Sequence, residues 1–250
     1  MISAVIAAAG RLEPAQAREY ATDIKALACI GGKTLLATLV DALRGVPEIG
    51  RISVVGPRAV REGGLAVDEW SDERASGEEN VIAALRSAGG GRCLACAADL
   101  PFVTAGAIAA LLRLVPPDVR CAYPIFTRSE FLGAFPGARS SFATLADGEW
   151  TGGSILVLDA PLMLRNEALI RRGFAARKNL LTLAALLGPA LALRYATRRL
   201  TVDDVQARLS ALIGGNVMAV RGADPALAMD CDEAADFEYA RKRFMDAPAR

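Results

Sequence analysis

Histidine is absent from this chain of 250 residues. Without an imidazole, catalysis cannot use a histidine general base or a Ser-His-Asp triad, and any bound metal must be held by oxygen or thiolate ligands. Among the five cysteines, only Cys93 and Cys96 have C-x-x-C spacing, and no second pair completes a zinc site. In an extended strand these two side chains point to opposite faces. We therefore predict that they are small core residues, with a redox role as the remote alternative.

The chain also lacks a long apolar run and a dominant charge of one sign. Its longest apolar stretch, 180–193, contains Gly188 and Pro189 and is too short to span a bilayer. The 29 basic and 28 acidic residues leave a formal net charge of +1, so there is no basic field for nucleic acid. The apolar start "MISAVIAAAG" has no basic segment before it and is interpreted as a first strand. These features predict a cytoplasmic protein without membrane insertion or a nucleic-acid partner.

Lysine is scarce compared with arginine. Only four of the 29 basic residues are lysines, namely Lys25, Lys33, Lys178 and Lys242. Where any positive charge suffices, the chain uses arginine, so a retained lysine can mark a position that needs a compact ammonium group. The four lysines are therefore candidate functional residues.

Apolar segments of strand length alternate with segments of helical periodicity. In the first half the predicted strands are 4–10, 51–56 and 92–99, and the predicted helices are 33–45, 77–91 and 104–115. This β-α-β-α-β-α beginning predicts an α/β fold with a doubly wound, mostly parallel sheet. In the second half we predict strands at 120–126, 153–159, 217–220 and 227–231, and helices at 161–172, 179–187, 201–213 and from Glu233 onward. No linker or internal repeat interrupts the pattern, so one domain spanning 1–250 is expected.

Residues suited to ligand binding follow several predicted strands. Gly10 and Arg11 follow the first strand, and Asp99 follows the third. Asp230 and Asp232 come at the end of a late strand. Open parallel sheets bind ligands beyond the carboxyl ends of their strands, and Mg²⁺-assisted nucleotidyl transfer needs carboxylates beside a phosphate-binding loop. Taken singly, each feature has a structural alternative: "AAAGR" as a tight turn, Asp99 as a turn residue and Asp232 as a helix N-cap.

Together these segments resemble a known family. "AVIAAAGRLEP", "KALACIGGKTLLATLVDAL", "ENVIAAL", "CAADLPFVT" and "MDCDEAADFEYA" look like the NTP transferases related to the molybdenum-cofactor guanylyltransferase. The typical opening in that family is L-A-A-G-x-G-x-R, followed by P-K and G-x-P-L-L. This chain lacks the second glycine and has Ile24 where proline usually precedes the lysine. The resemblance implies the three-layer, glycosyltransferase-A-like nucleotidyltransferase fold, with an NTP-binding half at 1–115 and an acceptor-binding half at 116–250.

The resemblance also implies roles for individual residues. The residues that would contact the nucleotide are Ala8, Ala9, Gly10, Arg11, Lys25, Gly77 and Asn80. Arg11 and Lys25 would bind the β- and γ-phosphates and stabilise the leaving pyrophosphate. Asp99 and Asp232 would coordinate Mg²⁺, with Asp230 as the competing second ligand. Arg11, Lys25 and Asp99 are thus the predicted catalytic residues.

Candidates for acceptor binding lie in the second half, which resembles an uncharacterised branch of these transferases. Gly152 and Gly153 in "TGGS" would let the backbone approach an acceptor, although a turn before a strand explains them equally well. Arg139, Arg177 and Lys178 would grip an acceptor phosphate, although each alone reads as a solvated surface charge. Because lysine is so rare, Lys178 is the preferred candidate.

The predicted function is therefore Mg²⁺-dependent transfer of a nucleoside monophosphate from an NTP to a small phosphorylated acceptor, with release of pyrophosphate. Three alternatives remain open. A glycosyltransferase that uses a sugar nucleotide would need a D-x-D motif, and "DCD" at 230–232 has that spacing. A guanylyltransferase acting on a pterin cofactor is the second, and a catalytically inactive nucleotide-binding module, which the missing glycine permits, is the third.

Overall fold

The fold comes from a computed structural model that describes residues 1–176, 182 and 186–246. In the first half the elements are, in chain order, β1 (Ile2–Ala7), α1 (Pro14–Tyr20), β2 (Cys29–Ile30), β3 (Lys33–Thr34), α2 (Leu35–Arg44), β4 (Ile49–Gly56), β5 (Glu69–Asp72), α3 (Gly77–Arg86), β6 (Arg92–Ala97) and α4 (Ala105–Leu114). The predicted β-α-β-α-β-α order is confirmed, with α1, β5 and the β2–β3 hairpin added to it.

The second half is more elaborate. Its elements are β7 (Cys121–Thr127), α5 (Arg128–Ala134), β8 (Ala143–Leu145), β9 (Gly148–Gly152), β10 (Ile155–Asp159), α6 (Ala160–Arg165), α7 (Glu167–Ala176), α8 (Pro189–Ala196), α9 (Val202–Ile213), β11 (Val217–Val220) and α10 (Ala234–Asp246). Within the described residues, no helix is both long enough and apolar enough to cross a membrane.

The described residues form a nine-stranded mixed sheet and the small β2–β3 hairpin. The sheet order is β5-β4-β1-β6-β10-β7-β9-β8, and β11 also pairs with β7. Strands β5, β4, β1 and β6 are parallel, as are β7 and β11, whereas β10 runs antiparallel to both β6 and β7. The predicted α/β class with a mostly parallel sheet is confirmed, although two of its strands, β10 and β9, run antiparallel to their neighbours.

Apolar residues cover both faces of this sheet. On one face, Ile6 and Leu94 belong to a large cluster with residues of α2 and α4; on the other, Val5 packs in a cluster that contains Leu85 of α3. Cys93 and Cys96 are buried, unpaired thiols that fall in opposite clusters. The prediction that they are core residues on opposite faces of a strand is confirmed.

Several predicted elements differ from the structure; among them, the helix predicted over 77–91 ends at Arg86. The predicted strand at 227–231 is wrong, because Pro225–Leu227 is a 3₁₀ helix whose first turn is capped by the Asp224 side chain. The predicted helix at 161–172 is two helices, since Asn166 ends α6 and donates hydrogen bonds to the carbonyl oxygens of Leu162 and Ile213. The first strand ends at Ala7 rather than residue 10. Most of the predicted helix 179–187 lies outside the described residues.

Candidate active site

A lysine ammonium group lies between two carboxylates at the carboxyl end of β6. The Nζ atom of Lys25 is 3.1 Å from Oδ2 of Asp99 and 2.5 Å from Oδ1 of Asp232. The side chains of Lys25 and Asp99 are about one-seventh exposed, whereas that of Asp232 is 68% exposed. The structure thus brings together three residues predicted to bind phosphate and metal, although they lie far apart in the sequence.

The chain after β1 folds back to deliver Lys25 to this position. Arg11 and Ile24 form an antiparallel bridge, the N–H of Leu12 donates to the Asp23 carbonyl (2.8 Å), and the N–H of Lys25 donates to the Gly10 carbonyl (2.9 Å). Leu12 and Ile24 are buried, so apolar anchors fix the two arms of the loop. The predicted phosphate loop is therefore a defined hairpin-like segment.

The two carboxylates are held by buried neighbours. Leu100 and Cys231 are fully buried, and the N–H of Cys231 donates to the Asp99 carbonyl (3.0 Å). Oδ2 of Asp236, a buried residue in the first turn of α10, accepts hydrogen bonds from the N–H groups of Asp232 (3.1 Å) and Glu233 (2.7 Å). The backbone on both sides of the site is thereby fixed, as a preorganised site requires.

Burial and mutual repulsion of the acids govern the charge state of the site. Burial raises the pKa of Asp99, the Asp232 carboxylate raises it further, and the ammonium of Lys25 opposes both effects. Burial alone would lower the pKa of Lys25, but the carboxylates of Asp99 and Asp232 outweigh it and raise that pKa. Burial and the charges of Asp99 and Asp232 raise the pKa of Asp230 to about 7. The site holds more acid than base and favours a further cation.

The donor groups fit a Mg²⁺ ion. Oδ1 of Asp99 is buried and, within the described part of the chain, has no hydrogen-bond partner. Carboxylate oxygens are the ligands that Mg²⁺ prefers, and the ion usually takes one or two of them together with substrate phosphates and water. No group of three or more acidic or cysteine side chains among the described residues is arranged to hold a metal alone. A Mg²⁺ ion that is bound by two protein carboxylates and takes its remaining ligands from the triphosphate is consistent with both observations.

Arg11 is held by an acid that the sequence analysis missed. Its Nη2 donates to both carboxylate oxygens of Glu73 (2.7 and 2.8 Å), its Nη1 donates to the Ala9 carbonyl (2.9 Å), and its Nε is 3.5 Å from Asp23. Glu73 directly follows β5, at the same sheet edge as Gly10. Asp99 was predicted as a site residue because it follows a strand. Glu73 also follows a strand, but β5 is short and polar and was not predicted from the sequence.

Other predicted nucleotide-binding residues have structural partners. The N–H of Ala8 donates to the Val55 carbonyl in the sheet (2.8 Å), so it is not available to a nucleotide. Asn80 is buried in α3, where its side chain accepts from the Arg74 N–H (2.7 Å) and donates to the Ser76 carbonyl (2.9 Å). Asn80 therefore shapes the loop that leads into Gly77. The roles of Ala9, Gly10 and Gly77 stay predictions.

The predicted acceptor residues are not brought together. A Cβ atom on Gly152 would lie 1.7 Å from the Tyr123 hydroxyl oxygen, and one on Gly153 would lie 2.7 Å from Cγ of Pro124. Side chains of this protein are therefore enough to explain both glycines, and their contact with an acceptor stays a prediction. Arg139 is exposed, and no hydrogen bond or ion pair within the described residues joins it to another predicted site residue. Arg177 and Lys178 lie outside the described residues.

The close contact at Gly152 predicts a stability effect. Replacing Gly152 with alanine should destabilise the protein by about 1–3 kcal/mol, because the new methyl group collides with the Tyr123 ring. The variant Gly152→Ala/Tyr123→Ala should recover most of the loss, since the ring is then absent. Thermal unfolding of both variants checks this; a Gly152→Ala protein as stable as the parent would contradict the observed packing.

A second polar group lies beside the site. The Ser154 hydroxyl donates to Oδ2 of Asp230 (2.7 Å), and Ser154 is fixed in the sheet because its N–H donates to Leu227 (2.7 Å) and its carbonyl accepts from Ala97 (2.9 Å). Burial raises the pKa of Tyr123, and the neighbouring Asp230 carboxylate raises it further. Among the described residues Asp230 forms no ion pair with Lys25, in contrast to Asp232. Ser154 was not among the predicted site residues, although it ends the "TGGS" segment.

Comparison with known proteins agrees with this geometry. Residues 4–156 match the family model of the MobA-like NTP transferase domain. The chain belongs to this family. It is therefore a member of the nucleotidyltransferases, and the resemblance drawn from the sequence is confirmed. No curated protein matches the chain.

Solved structures show the same fold. A hypothetical transferase from Thermus thermophilus is 28% identical, with a TM-score of 0.82 over 94% of this chain and 99% of that one. A nucleotidyl transferase from Methanothermobacter is 19% identical, with a TM-score of 0.58 and 98% of both chains covered. A 2-C-methyl-D-erythritol 4-phosphate cytidylyltransferase from Thermus thermophilus gives 19% identity, a TM-score of 0.57 and the same coverage. The fold is that of the glycosyltransferase-A-like nucleotidyltransferases, as expected.

Proposed function

We propose that this protein is a cytoplasmic, Mg²⁺-dependent nucleotidyltransferase. It transfers a nucleoside monophosphate from an NTP to a small phosphorylated acceptor and releases pyrophosphate. Residues 1–115 supply most of the nucleotide site, and residues 116–250 supply Asp232 and the acceptor side. Family membership supports the use of an NTP.

The observation that carries the proposal is the contact of Lys25 with Asp99 and Asp232. At this sheet edge the carboxylates would bind the Mg²⁺ of a Mg²⁺-triphosphate complex, and the ammonium group would bind its phosphate oxygens. The unpartnered Oδ1 of Asp99 adds an oxygen that no group of the described protein satisfies. A buried polar atom without a partner is costly, so its retention points to a ligand.

The protein residues act mainly by positioning and by electrostatic stabilisation. An acceptor phosphate oxygen attacks the α-phosphorus in line, the bond to the β-phosphate oxygen breaks, and pyrophosphate leaves with the displaced charge. Lys25 and Arg11 stabilise that charge, and no protein nucleophile or general base is required, since the attacking phosphate is already an anion. Asp99 and Asp232 would hold Mg²⁺, which supplies neutralisation of the phosphate oxygens.

The alternatives gain less support. A sugar-nucleotide glycosyltransferase would use Asp230 and Asp232 as a D-x-D pair, but Asp230 is hydrogen-bonded to Ser154 whereas Asp232 contacts Lys25. The fold neighbours named as nucleotidyl and cytidylyl transferases also favour nucleotidyl transfer, and one of these names includes a phosphorylated acceptor.

Pyrophosphate release tests the proposal. All four NTPs are incubated with Mg²⁺ and a pooled panel of phosphorylated metabolites, and pyrophosphate is measured for the parent protein and for Asp99→Asn. The proposal is supported if pyrophosphate is released only with one particular NTP and one particular pool of acceptors, and only when Asp99 is present. NTP binding without any dependence on Mg²⁺, together with no release from any pool, would indicate the inactive binding module.

A substitution at Gly10 tests whether the predicted phosphate loop contacts the NTP. A Cβ atom at Gly10 would lie 3.5 Å from Cβ of Lys25, an ordinary contact, and its φ is not in the left-handed region. Gly10→Ala should therefore fold with unchanged or slightly higher stability. If the backbone at residue 10 approaches the triphosphate, the methyl group should raise the KM for NTP about tenfold. Unchanged steady-state kinetics would remove Gly10 from the nucleotide site.

A further inference from the structure

We infer that Asp230, Ser154 and Tyr123 form a subsite that binds an uncharged hydroxyl group of the acceptor. We call these three residues the hydroxyl subsite. The inference rests on the proposed function and assigns Asp230 to the acceptor rather than to the metal.

The hydroxyl subsite is built on fixed backbone. Ser154 lies between β9 and β10, where hydrogen bonds to Leu227 and from Ala97 hold it, and its hydroxyl orients the Asp230 carboxylate. The Tyr123 hydroxyl lies against Gly152, two residues before Ser154, and only glycine leaves space for it there. The two side chains are therefore presented at one junction of the sheet, next to the Asp99 site.

Unused hydrogen-bonding capacity remains at this junction. The Ser154 hydroxyl donates to Oδ2 of Asp230, and within the described residues no hydrogen bond reaches Oδ1 of Asp230 or the Tyr123 hydroxyl. Asp230 is only half-buried and Tyr123 is 39% exposed. A carboxyl oxygen accepts hydrogen bonds, and a phenol can both donate and accept them. A ligand hydroxyl, which both donates and accepts, matches this pair.

Charge argues for a neutral hydroxyl instead of a metal or a phosphate. A phosphate placed against Asp230 would face the carboxylates of Asp99 and Asp232, and among the described residues no cation forms an ion pair with Asp230 that would offset them. A metal shared by all three acids has no support, since no group of three or more metal-binding side chains is found among the described residues, and the Ser154 hydroxyl already engages Oδ2 of Asp230. The acceptor phosphate then lies towards Lys25, and its hydroxylated portion lies at Asp230.

Binding of matched probes tests the subsite directly. Glycerol 3-phosphate is compared with propyl phosphate, and ribitol 5-phosphate with pentyl phosphate, by titration calorimetry with Mg²⁺ and a non-hydrolysable NTP analogue. The parent should bind the hydroxylated member of at least one pair about tenfold more tightly, as expected for a hydrogen bond to a charged group. Asp230→Asn and Tyr123→Phe, which preserve shape, should each abolish most of that preference. Equal affinity of the paired probes for the parent, including no binding of either, would overturn the inference.

Metal dependence separates the two roles of Asp230. The Mg²⁺ concentration for half-maximal binding of the NTP analogue should rise in Asp232→Asn and stay unchanged in Asp230→Asn. An equal rise in both variants would make Asp230 a metal ligand and overturn the inference. A preference for hydroxylated probes that depends on Asp230, with no pyrophosphate release from any NTP, would support the subsite while the proposed function fails.

Discussion

Replacing Asp99 with asparagine should lower kcat by about 10³-fold without loss of the folded state. The amide keeps the shape of the side chain but removes the charge that would hold Mg²⁺ and orient Lys25. An ionised carboxylate in a largely buried position costs desolvation free energy, which a neutral amide largely avoids. We therefore expect a melting temperature equal to or higher than that of the parent. Pyrophosphate release and thermal unfolding of the same preparation measure the two effects.

Asp41→Asn is the matched control for this variant. Asp41 lies on α2 and forms an exposed ion pair with Lys33, at 2.5 Å. Exposed pairs contribute about 0–1 kcal/mol, so activity and stability should both be nearly unchanged. If Asp99→Asn unfolds the protein, Asp99 is a structural acid; if it retains full turnover, the metal assignment is wrong.

The sequence was sufficient for the elements with strong periodicity or a strong end signal. Helix α2 and strand β6 were predicted because their apolar spacing is regular and because Asp99 and Pro101 end the strand so abruptly. Helix α1 was missed because its start depends on a capping box between Glu13 and Gln16 inside a polar segment. The antiparallel direction of β10 was not predictable, since a doubly buried strand has the same apolar pattern in either direction.

The site was predictable in its residue types but not in its contacts. Lys25, Asp99 and Asp232 each follow a recognisable segment, yet only the fold shows that one ammonium touches both acids. Glu73 and Ser154 were missed because each lies beside a short polar or glycine-rich strand end that resembles an ordinary turn. The packing reason for Gly152 was not predictable, because a sequence cannot show that a tyrosine ring fills the space above a glycine.

Lys25→Met should lower kcat about 10²–10³-fold, because the variant loses the positive charge that stabilises leaving pyrophosphate. It should also lower stability, since Asp99 remains buried beside Asp232 without the ammonium between them. Lys25→Arg should restore little activity, because the larger planar guanidinium does not fit a point charge held within 3.1 Å of two carboxylates.

The double variant Lys25→Met/Asp99→Asn separates the structural role of this lysine from its catalytic one. It removes the ammonium and the buried carboxylate together, so the melting temperature should return towards that of the parent while turnover stays lost. Lys33 was a candidate only because lysine is rare, and the structure places it in an exposed ion pair with Asp41; Lys33→Met is therefore the control and should keep full turnover. Recovery of both stability and turnover in the double variant would contradict the roles proposed for both residues: Lys25 would only neutralise Asp99, and Asp99 would not be a required metal ligand.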